Sequence, residues 1–247
     1  MTLSQFFAAH PRAALGFSGG VDSSYLLYAA VHCGADVRPY YIHTPFQPAF
    51  ELADAQALAK SLGVALTVVE HDILAHPEVA ENPADRCYFC KTALFGLLRQ
   101  RAAADGYALL LDGTNASDDA GDRPGMRALR ELEVRSPLRE CGLTKPEIRA
   151  RSREAGLFTW NKPAYACLAT RVPAGQPLTA ALLSRVEGAE SALFRLGFTD
   201  FRVRVFHGAA RVQLPAAAWA EAPARRAEML QALKPYFDTV LLDMEVR

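Results

Sequence analysis

The 247 residues are enough for one large domain, or for a main domain with a small appendage. Apolar residues make up 51%, charged residues 22%, and 27 Lys+Arg balance 27 Asp+Glu, which excludes a disordered chain, a collagen-like fibre and a polybasic nucleic-acid arm. No basic stretch followed by an apolar core opens the chain and no apolar run approaches the roughly 18 residues of a membrane span, so a cytoplasmic protein is expected. The five cysteines, at 33, 87, 90, 141 and 167, are an odd number without a secretory context, which favours metal or thiol chemistry over a disulfide framework.

In chain order, Ala13 to Phe17 reads as a strand, then a Gly-Ser turn, then a helix from about Val21 to His32. A strand over Val37 to His43 leads to a helix over about Phe50 to Leu62, closed by Gly63, and to a strand over Ala65 to Val69. A helix over about Thr92 to Ala103 precedes a strand over Tyr107 to Leu111. This alternation predicts a doubly wound α/β fold, a parallel sheet with helices on both faces. Asp112 to Gly125 is too polar for an element and is expected to be a lid or a site wall. Thr144 to Glu147 has capping-box spacing, with the helix it starts ending at Gly156.

Proline and glycine cluster from Pro163 to Pro177 and mark the expected boundary. Beyond it Thr179 caps a helix to about Leu196, 201–206 and 210–214 form a hairpin around His207-Gly208, and a helix near Pro223 to Leu233 precedes a strand TVLLDMEV. The expectation is a main domain over 1–170 and a small α+β domain over 171–247.

Ser18-Gly19-Gly20-Val21-Asp22-Ser23-Ser24 sits between a strand and a helix, where backbone N–H groups and a positive helix end face an anion. The glycines allow close approach and Ser18, Ser23 and Ser24 add hydroxyl donors. The pattern is neither the Walker loop nor the dinucleotide fingerprint. It resembles the PP-loop of the adenine-nucleotide alpha-hydrolase group, which includes NAD and GMP synthetases and tRNA thiolation enzymes. The resemblance implies ATP split between its α and β phosphates, with Asp22, the one carboxylate of the loop, on the accompanying Mg2+. The plainer alternative is a capped turn in which Asp22 complements the helix dipole.

Arg86-Cys87-Tyr-Phe-Cys90-Lys91 places two thiols just before the predicted helix, as a metal half-site or a redox pair. Cys167, in Lys162-Pro-Ala-Tyr-Ala-Cys-Leu-Ala-Thr-Arg171, lies at the expected domain junction, where small-molecule sites are common. Three thiolates suit zinc or an iron–sulfur cluster. A structural zinc knuckle at Cys87 and Cys90, and a plain junction residue at Cys167, are the bland alternatives. Cys33 and Cys141 are expected to be small buried hydrophobes.

The ordered set SGGVDSS, RCYFCK, DGTNASD with DRPG, SPLRECGLTKPEIR, KPAYACLATR, VEGAE and RVRVFHGAARVQLP is similar to the LarE family. These are ATP-dependent sulfur transferases that make the thiocarboxylates of the nickel-pincer nucleotide. The resemblance spans nearly the whole chain. It implies adenylation of the carboxylates of pyridinium-3,5-biscarboxylic acid mononucleotide. The presence of Cys87, Cys90 and Cys167 implies the subtype that holds a [4Fe-4S] cluster and passes on a bound sulfide. The alternative is the sacrificial subtype, in which Cys167 gives up its own sulfur and becomes dehydroalanine. A homo-oligomer is implied by resemblance, as are a carboxylase and a nickel insertase of the same pathway as partners.

The substrate carries a phosphate, so cations are expected near the C-terminus. Arg202 and Arg204 alternate along one strand and share a face suited to that phosphate, with Glu190 orienting them or the ribose. An exposed strand face ion-paired to a helix is the equal alternative. Lys91 and Arg171 flank the cysteines and are placed to steer the adenylate, or are simply solvated charges. The rival functions are a PP-loop tRNA thiolase, an ammonia-using synthetase, and a non-catalytic module sensing nucleotide or iron–sulfur status. Zero net charge and the lack of an Arg/Lys run speak against the RNA partner.

Overall fold

The computed structural model describes residues 1–118 and 124–247, so the middle of the polar loop expected at 112–125 lies outside the described residues. The chain opens with α1 (Leu3–Ala9), β1 (Arg12–Gly16), α2 (Val21–His32), β2 (Asp36–His43), α3 (Ala49–Ser61) and β3 (Thr67–Glu70). A short α4 (Pro77–Ala80) and the long α5 (Arg86–Ala104) follow, then β4 (Leu110–Leu111), α6 (Pro124–Glu131), α7 (Pro137–Glu140) and α8 (Lys145–Glu154). The remainder contains α9 (Ala180–Arg195), β5 (Arg202–Phe206), β6 (Ala209–Gln213), α10 (Ala216–Glu221), α11 (Arg226–Leu233) and β7 (Val240–Leu242).

These elements form two compact units, one of residues 1–73 and 85–164, the other of 74–84 and 165–247. The first is the α/β layout the alternation predicts: a four-stranded sheet in the order β3-β2-β1-β4 with every pair parallel. Period-two alternation divides its core. Ala13 and Leu15 of β1, with Val37 and Tyr41 of β2, face a cluster that includes Phe6, Phe7, Leu26, Leu27, Leu58 and Ile148. Ala14 and Tyr40 face the opposite cluster, with Leu98 and Ala102 of α5. Each fully buried large side chain here contributes about 1.5–3 kcal/mol relative to exposure. Both faces are therefore covered, as a parallel sheet requires.

Local chemistry explains the boundaries that the sequence placed well. Gly63 and Gly156 take the left-handed conformation after their helices, at φ 68° and 69°. Thr144 and Glu147 close a reciprocal capping box at the start of α8, with Glu147 Oε2 accepting from the Thr144 amide at 2.8 Å.

Five helices went unread, among them the four-residue α4 and α7, and one was misplaced. Helix α1 is short and is defined by a capping box between Thr2 and Gln5. Helix α6 begins inside the stretch taken as loop, because Pro124 is compatible with a first helical turn. Helix α10 is a six-residue segment without a capping hydrogen bond from a side chain. Helix α5 starts at Arg86, not near Thr92: nothing in Arg-Cys-Tyr-Phe-Cys-Lys breaks a helix, so both cysteines belong to it. Cys33 is exposed, which corrects the expectation of a buried thiol there. It caps the C-terminus of α2, where the chain turns at Gly34. Cys141 is half-buried, and burial pushes its thiol up.

The second unit carries the small mixed sheet β5-β6-β7, with an antiparallel hairpin and a parallel third strand. Thr179 Oγ1 accepts from the Leu182 amide and starts α9, as its position predicted. The detached piece 74–84 is tied in through Asn82, fully buried with φ 56°. Its Nδ2 donates to the carbonyls of Pro173 at 2.8 Å and Gln176 at 3.1 Å, and its own carbonyl accepts from Gly175 at 2.8 Å. Among the described residues no helix is long and apolar enough to cross a membrane.

Candidate functional site

The strand order of the first unit has a switch point. From β1 the chain winds outward through β2 and β3, then crosses to β4 on the other side of β1. At such a point the connections leave in opposite directions and open a crevice beyond the carboxyl ends of the strands. The loop from Phe17 to Gly20 emerges there from β1, and the loop from Asp112 to Asn115 emerges from β4.

The first loop is shaped by a glycine at φ 67°, Gly19, where a Cβ would lie 3.1–3.2 Å from the Cβ, Cα and backbone N of Ala55 on α3. Gly20 then adopts an extended conformation as the N-cap of α2. The Ser18 hydroxyl accepts from the Gly20 amide at 3.3 Å and lies 3.0 Å from the Ser23 hydroxyl, which donates to the Gly20 carbonyl. The first-turn N–H groups of α2 have no acceptor one turn back and point out of the helix end. Ser24 differs from its neighbours: it is fully buried, and its Oγ has no hydrogen-bond partner among the described residues. Gly19→Ala combines left-handed strain of about 1–2 kcal/mol with contact against the α3 backbone. A fall in melting temperature of several degrees is expected in a thermal unfolding scan, with weakened binding of any phosphate ligand.

Asp22 lies in the first turn of α2 and is engaged on both oxygens. Lys145 Nζ donates to Oδ2 at 2.5 Å and Asn115 Nδ2 to Oδ1 at 3.4 Å. Gly113 makes this assembly possible, since a Cβ there would stand 3.0 Å from the Ser23 amide nitrogen. Asp112 anchors the same loop, accepting from the Thr114 hydroxyl and amide and from Ser136 Oγ at 2.6 Å. Residues 112–118 thus form a wall along the first turn of α2.

A second lysine reaches the loop. Lys162 Nζ pairs with Asp54 of α3 at 2.7 Å and donates to the Gly19 carbonyl at 3.4 Å. Lys145, Lys162 and Asn115 were not singled out from sequence. A signal existed for Lys145, the first residue of α8: a cation at a helix N-terminus opposes the dipole and needs a reason to be there.

Beside the loop, Gly16, Phe17, Ser18, Tyr41, Gln47 and Phe95 are among the residues lining a cleft of about 150 Å³. The Tyr41 hydroxyl is buried with no hydrogen-bond partner among the described residues, and burial pushes it well above the usual phenol range. Leu94, Phe95 and Leu98 of α5 line the same cleft, so the helix bearing the paired cysteines flanks the loop. Cys87 and Cys90 are three apart on that helix and share a face, Cys87 exposed and Cys90 half-exposed. The Arg86 guanidinium lies 3.8 Å from Cys87 Sγ. Lys91 lays its aliphatic stem across Gly125 at the start of α6, where a Cβ would stand 3.1 Å from Lys91 Cδ.

Cys167 belongs to the second unit. It precedes a 3-10 turn, Leu168–Arg171, and its carbonyl accepts from Thr170 Oγ1 at 2.8 Å. Behind it lies a buried polar network. Arg171, fully buried, donates to the equally buried Glu190 at 2.7 and 3.1 Å and to the Ala166 carbonyl at 3.0 Å. Glu190 also accepts from the Val203 amide at 2.9 Å and from the Tyr165 hydroxyl. Burial, with the charge of Glu190, pushes the Tyr165 phenol far up, so it remains a neutral donor. Burial draws the Arg171 guanidinium down, but the hydrogen bonds and charge of Glu190 outweigh it and the net shift is upward.

Arg202 and Arg204 leave β5 on one face, as alternation predicts. The exposed-face alternative is excluded for Arg202, which is buried and lies over the Tyr165 ring. Arg204 donates to Gln213 at 2.5 Å and to the Thr170 carbonyl at 2.8 Å. Burial, then the neighbouring Arg171 and Arg247, pushes Arg202 down to about 10; burial and Arg171 likewise lower Arg204. Glu190 therefore serves chiefly Arg171, Tyr165 and the β5 backbone, a role that spacing alone did not suggest.

The three cysteines expected to share a metal are divided between the units, Cys87 and Cys90 on α5 of the first and Cys167 in the second. Among the described residues no three His, Cys, Asp or Glu side chains gather as a metal ion requires. The thiols at 87 and 90 stand on one face of the first turns of α5.

No protein-family model matches the chain. Curated relatives do. An uncharacterized protein, slr1717, of Synechocystis sp. is 41% identical over 214 residues, covering 86% of this chain and 80% of the relative. An uncharacterized protein, MJ0830, of Methanocaldococcus jannaschii is 28% identical over 200 residues, covering 81% and 76%. The pyridinium-3,5-bisthiocarboxylic acid mononucleotide synthase of Lactiplantibacillus plantarum is 35% identical over 208 residues, covering 83% of this chain and 75% of that enzyme. At that identity and coverage the chain belongs to the family of this synthase, the LarE family.

Proposed function

We propose that the chain is an ATP-dependent sulfur transferase that adenylates the carboxylates of pyridinium-3,5-biscarboxylic acid mononucleotide and converts them to thiocarboxylates. The observation that carries the reading is the loop Ser18 to Ser24 at the switch point, flanked by Lys145 and Lys162, in a member of the synthase family. A loop with oriented N–H groups, two hydroxyls and two cations suits a polyphosphate better than a single carboxylate or sulfate. The cleft beside it, with its buried Tyr41 hydroxyl, supports a place for the base.

A carboxylate is a poor electrophile because its leaving group would be oxide. Its oxygen attacks the α-phosphorus of ATP, the bond to the β-phosphate breaks, and pyrophosphate leaves with the electron pair. The donors of the loop stabilise that departing charge without reorganising. Mg2+ takes one or two carboxylates together with substrate phosphates, and Asp22 is a hard donor already facing a cation, so Asp22 would hold it. The ion would neutralise charge on the phosphates.

Sulfur then attacks the acyl carbon and AMP leaves. In the reading kept here Cys167 supplies the sulfur: a bond forms between Sγ and the acyl carbon. Loss of the Cys167 Cα proton and cleavage of its Cβ–Sγ bond then leave the thiocarboxylate and dehydroalanine. The Arg171 guanidinium donates to the carbonyl of Ala166, the residue before this cysteine, at 3.0 Å, and a nearby cation stabilises a sulfur anion. In the alternative route Cys87, Cys90 and Cys167 would hold a [4Fe-4S] cluster that would supply a bound sulfide, and no step is routed through it here. Lys91 is retained as a residue steering the adenylate. Arg202 and Arg204 are assigned to the substrate phosphate, because burial beside Arg171 makes an anion welcome there. The first unit on this reading handles ATP and the second the substrate. A homo-oligomer, and a carboxylase and a nickel insertase as pathway partners, belong to the same proposal.

The test is incubation of the whole chain with Mg2+, ATP and the dicarboxylate nucleotide under anaerobic conditions, followed by mass spectrometry. Loss of the elements of hydrogen sulfide from the peptide containing Cys167, alongside a thiocarboxylate product, supports it. Repeated turnover with Cys167 intact would overturn the sacrificial route.

A further inference from the structure

We infer that Lys162 is a further catalytic residue, one whose ammonium leaves Asp54 to hold the pyrophosphate as it departs from ATP. The inference rests on the reading of the Ser18 to Ser24 loop as the ATP site.

Four observations carry it. Lys162 is mostly buried, its side chain 13% exposed, and its ammonium points at the loop instead of at water. A lysine held so gives up solvation and side-chain freedom that a surface lysine would keep. Its ammonium meets Asp54 Oδ2 at 2.7 Å, the carbonyl of Gly19 at 3.4 Å, the loop residue whose positive φ shapes the anion cradle, and the face of the Phe50 ring at 5.6 Å. The backbone behind it is fixed: Arg149 donates to the Trp160 carbonyl at 2.7 Å and to the Lys162 carbonyl at 2.9 Å, and the Lys162 amide donates to the Thr159 carbonyl at 3.0 Å. Asp54 stands on α3 one residue before Ala55, the residue that touches Gly19, so the counterion and the loop are carried by the same helix turn.

A lysine paired with a partly exposed carboxylate beside an anion cradle is an ion pair that a more highly charged ligand can take over. With ATP seated on the first-turn N–H groups of α2, a phosphate oxygen competes with Asp54 for the ammonium. As the bond between the α- and β-phosphates breaks, the electron pair goes to the pyrophosphate and the charge beside Lys162 grows. No proton moves in this step. Lys145 on Asp22 marks the other side of the loop, so the two cations bracket the leaving group.

Calorimetric binding of Mg·ATP and of AMP to the full chain tests this, together with pyrophosphate release. Lys162→Met is expected to weaken ATP binding about 10- to 100-fold, the range for losing a hydrogen bond to a charged group, with AMP binding retained. Pyrophosphate release should slow, and Lys162→Arg should recover part of both. Asp54→Asn removes the competing partner and is expected to tighten ATP about two- to fivefold, the worth of a partly exposed ion pair. Retained AMP binding shows that the Met variant is folded. Equal losses for ATP and AMP, no loss for either, or a loss in Asp54→Asn matching that in Lys162→Met would overturn the inference and make the pair structural. A wild-type chain that binds ATP and releases no pyrophosphate would sink the proposed function while leaving the binding comparison decisive for Lys162. A wild-type chain that does not bind ATP overturns both.

Discussion

Glu190→Gln is expected to lower the stability of the second unit by about 3–5 kcal/mol, the cost of breaking a buried ion pair by removing one charge. Glu190 is buried, and four donors converge on it: two from Arg171, one from Tyr165 and the Val203 amide. An amide in its place turns a donor toward one of those donors and leaves the Arg171 guanidinium buried without its counterion. Tyr165 and Arg202 stack in the same place, so strain is not relieved by a simple rotation.

Urea unfolding in a Trp160→Phe background checks this, because the chain has two tryptophans and Trp219 then reports on the second unit alone. A loss under about 1 kcal/mol would mean that water reaches the pair and screens it. A second variant separates stability from function. Replacing both partners, Arg171→Met with Glu190→Leu, removes the unpaired charge and should recover most of the stability. Sulfur transfer should not recover, since Arg171 also holds the Ala166 carbonyl beside Cys167.

Cys167→Ala is expected to abolish thiocarboxylate formation while pyrophosphate is still released and the acyl adenylate accumulates. On the proposed mechanism the two half-reactions use different groups: ATP activation is assigned to the loop at 18–24 with Asp22, in α2 and the turn before it, and the attacking sulfur to Cys167, before the 3-10 turn. The substitution itself is mild. Cys167 takes an extended conformation before a 3-10 turn, which alanine adopts without strain, and its carbonyl still accepts from Thr170. Loss of product should therefore be complete, with unfolding midpoints close to wild type. Cys87→Ala and Cys90→Ala, each on the α5 face, serve as controls for thiol loss elsewhere. Product formation by Cys167→Ala at the wild-type rate would contradict the assignment, and loss of pyrophosphate release as well would place this thiol in the activation step.

The part of this molecule that was legible in its sequence is the part written in local chemistry. The α2 helix begins after a glycine turn, α8 begins at a reciprocal Thr144 and Glu147 cap, and Gly63 and Gly156 end helices in the one conformation that favours glycine. The glycine loop between β1 and α2 was legible for the same reason, since strand, loop and helix are adjacent in the chain. What escaped depends on pairs far apart in the chain. Lys145 meets Asp22 across 123 positions, and Lys162 meets Gly19 across 143. Nothing in either neighbourhood reveals the partner. The Arg171 and Glu190 pair was read as two separate candidates because spacing places residues on faces without showing what fills the space between them. The α5 helix was started too late for a different reason: a C-x-x-C pattern suggests a knuckle, but Arg86 to Lys91 also satisfies helix propensity.

The central claim is that ATP activates an oxygen of the substrate carboxylate. Its most direct test follows heavy oxygen placed in the carboxylates of the dicarboxylate nucleotide during incubation with Mg2+ and ATP. The account predicts AMP and pyrophosphate in equal amounts, with the heavy oxygen transferred into the phosphate of AMP when sulfur displaces it. Formation of ADP and orthophosphate, or of AMP carrying no label, would contradict it.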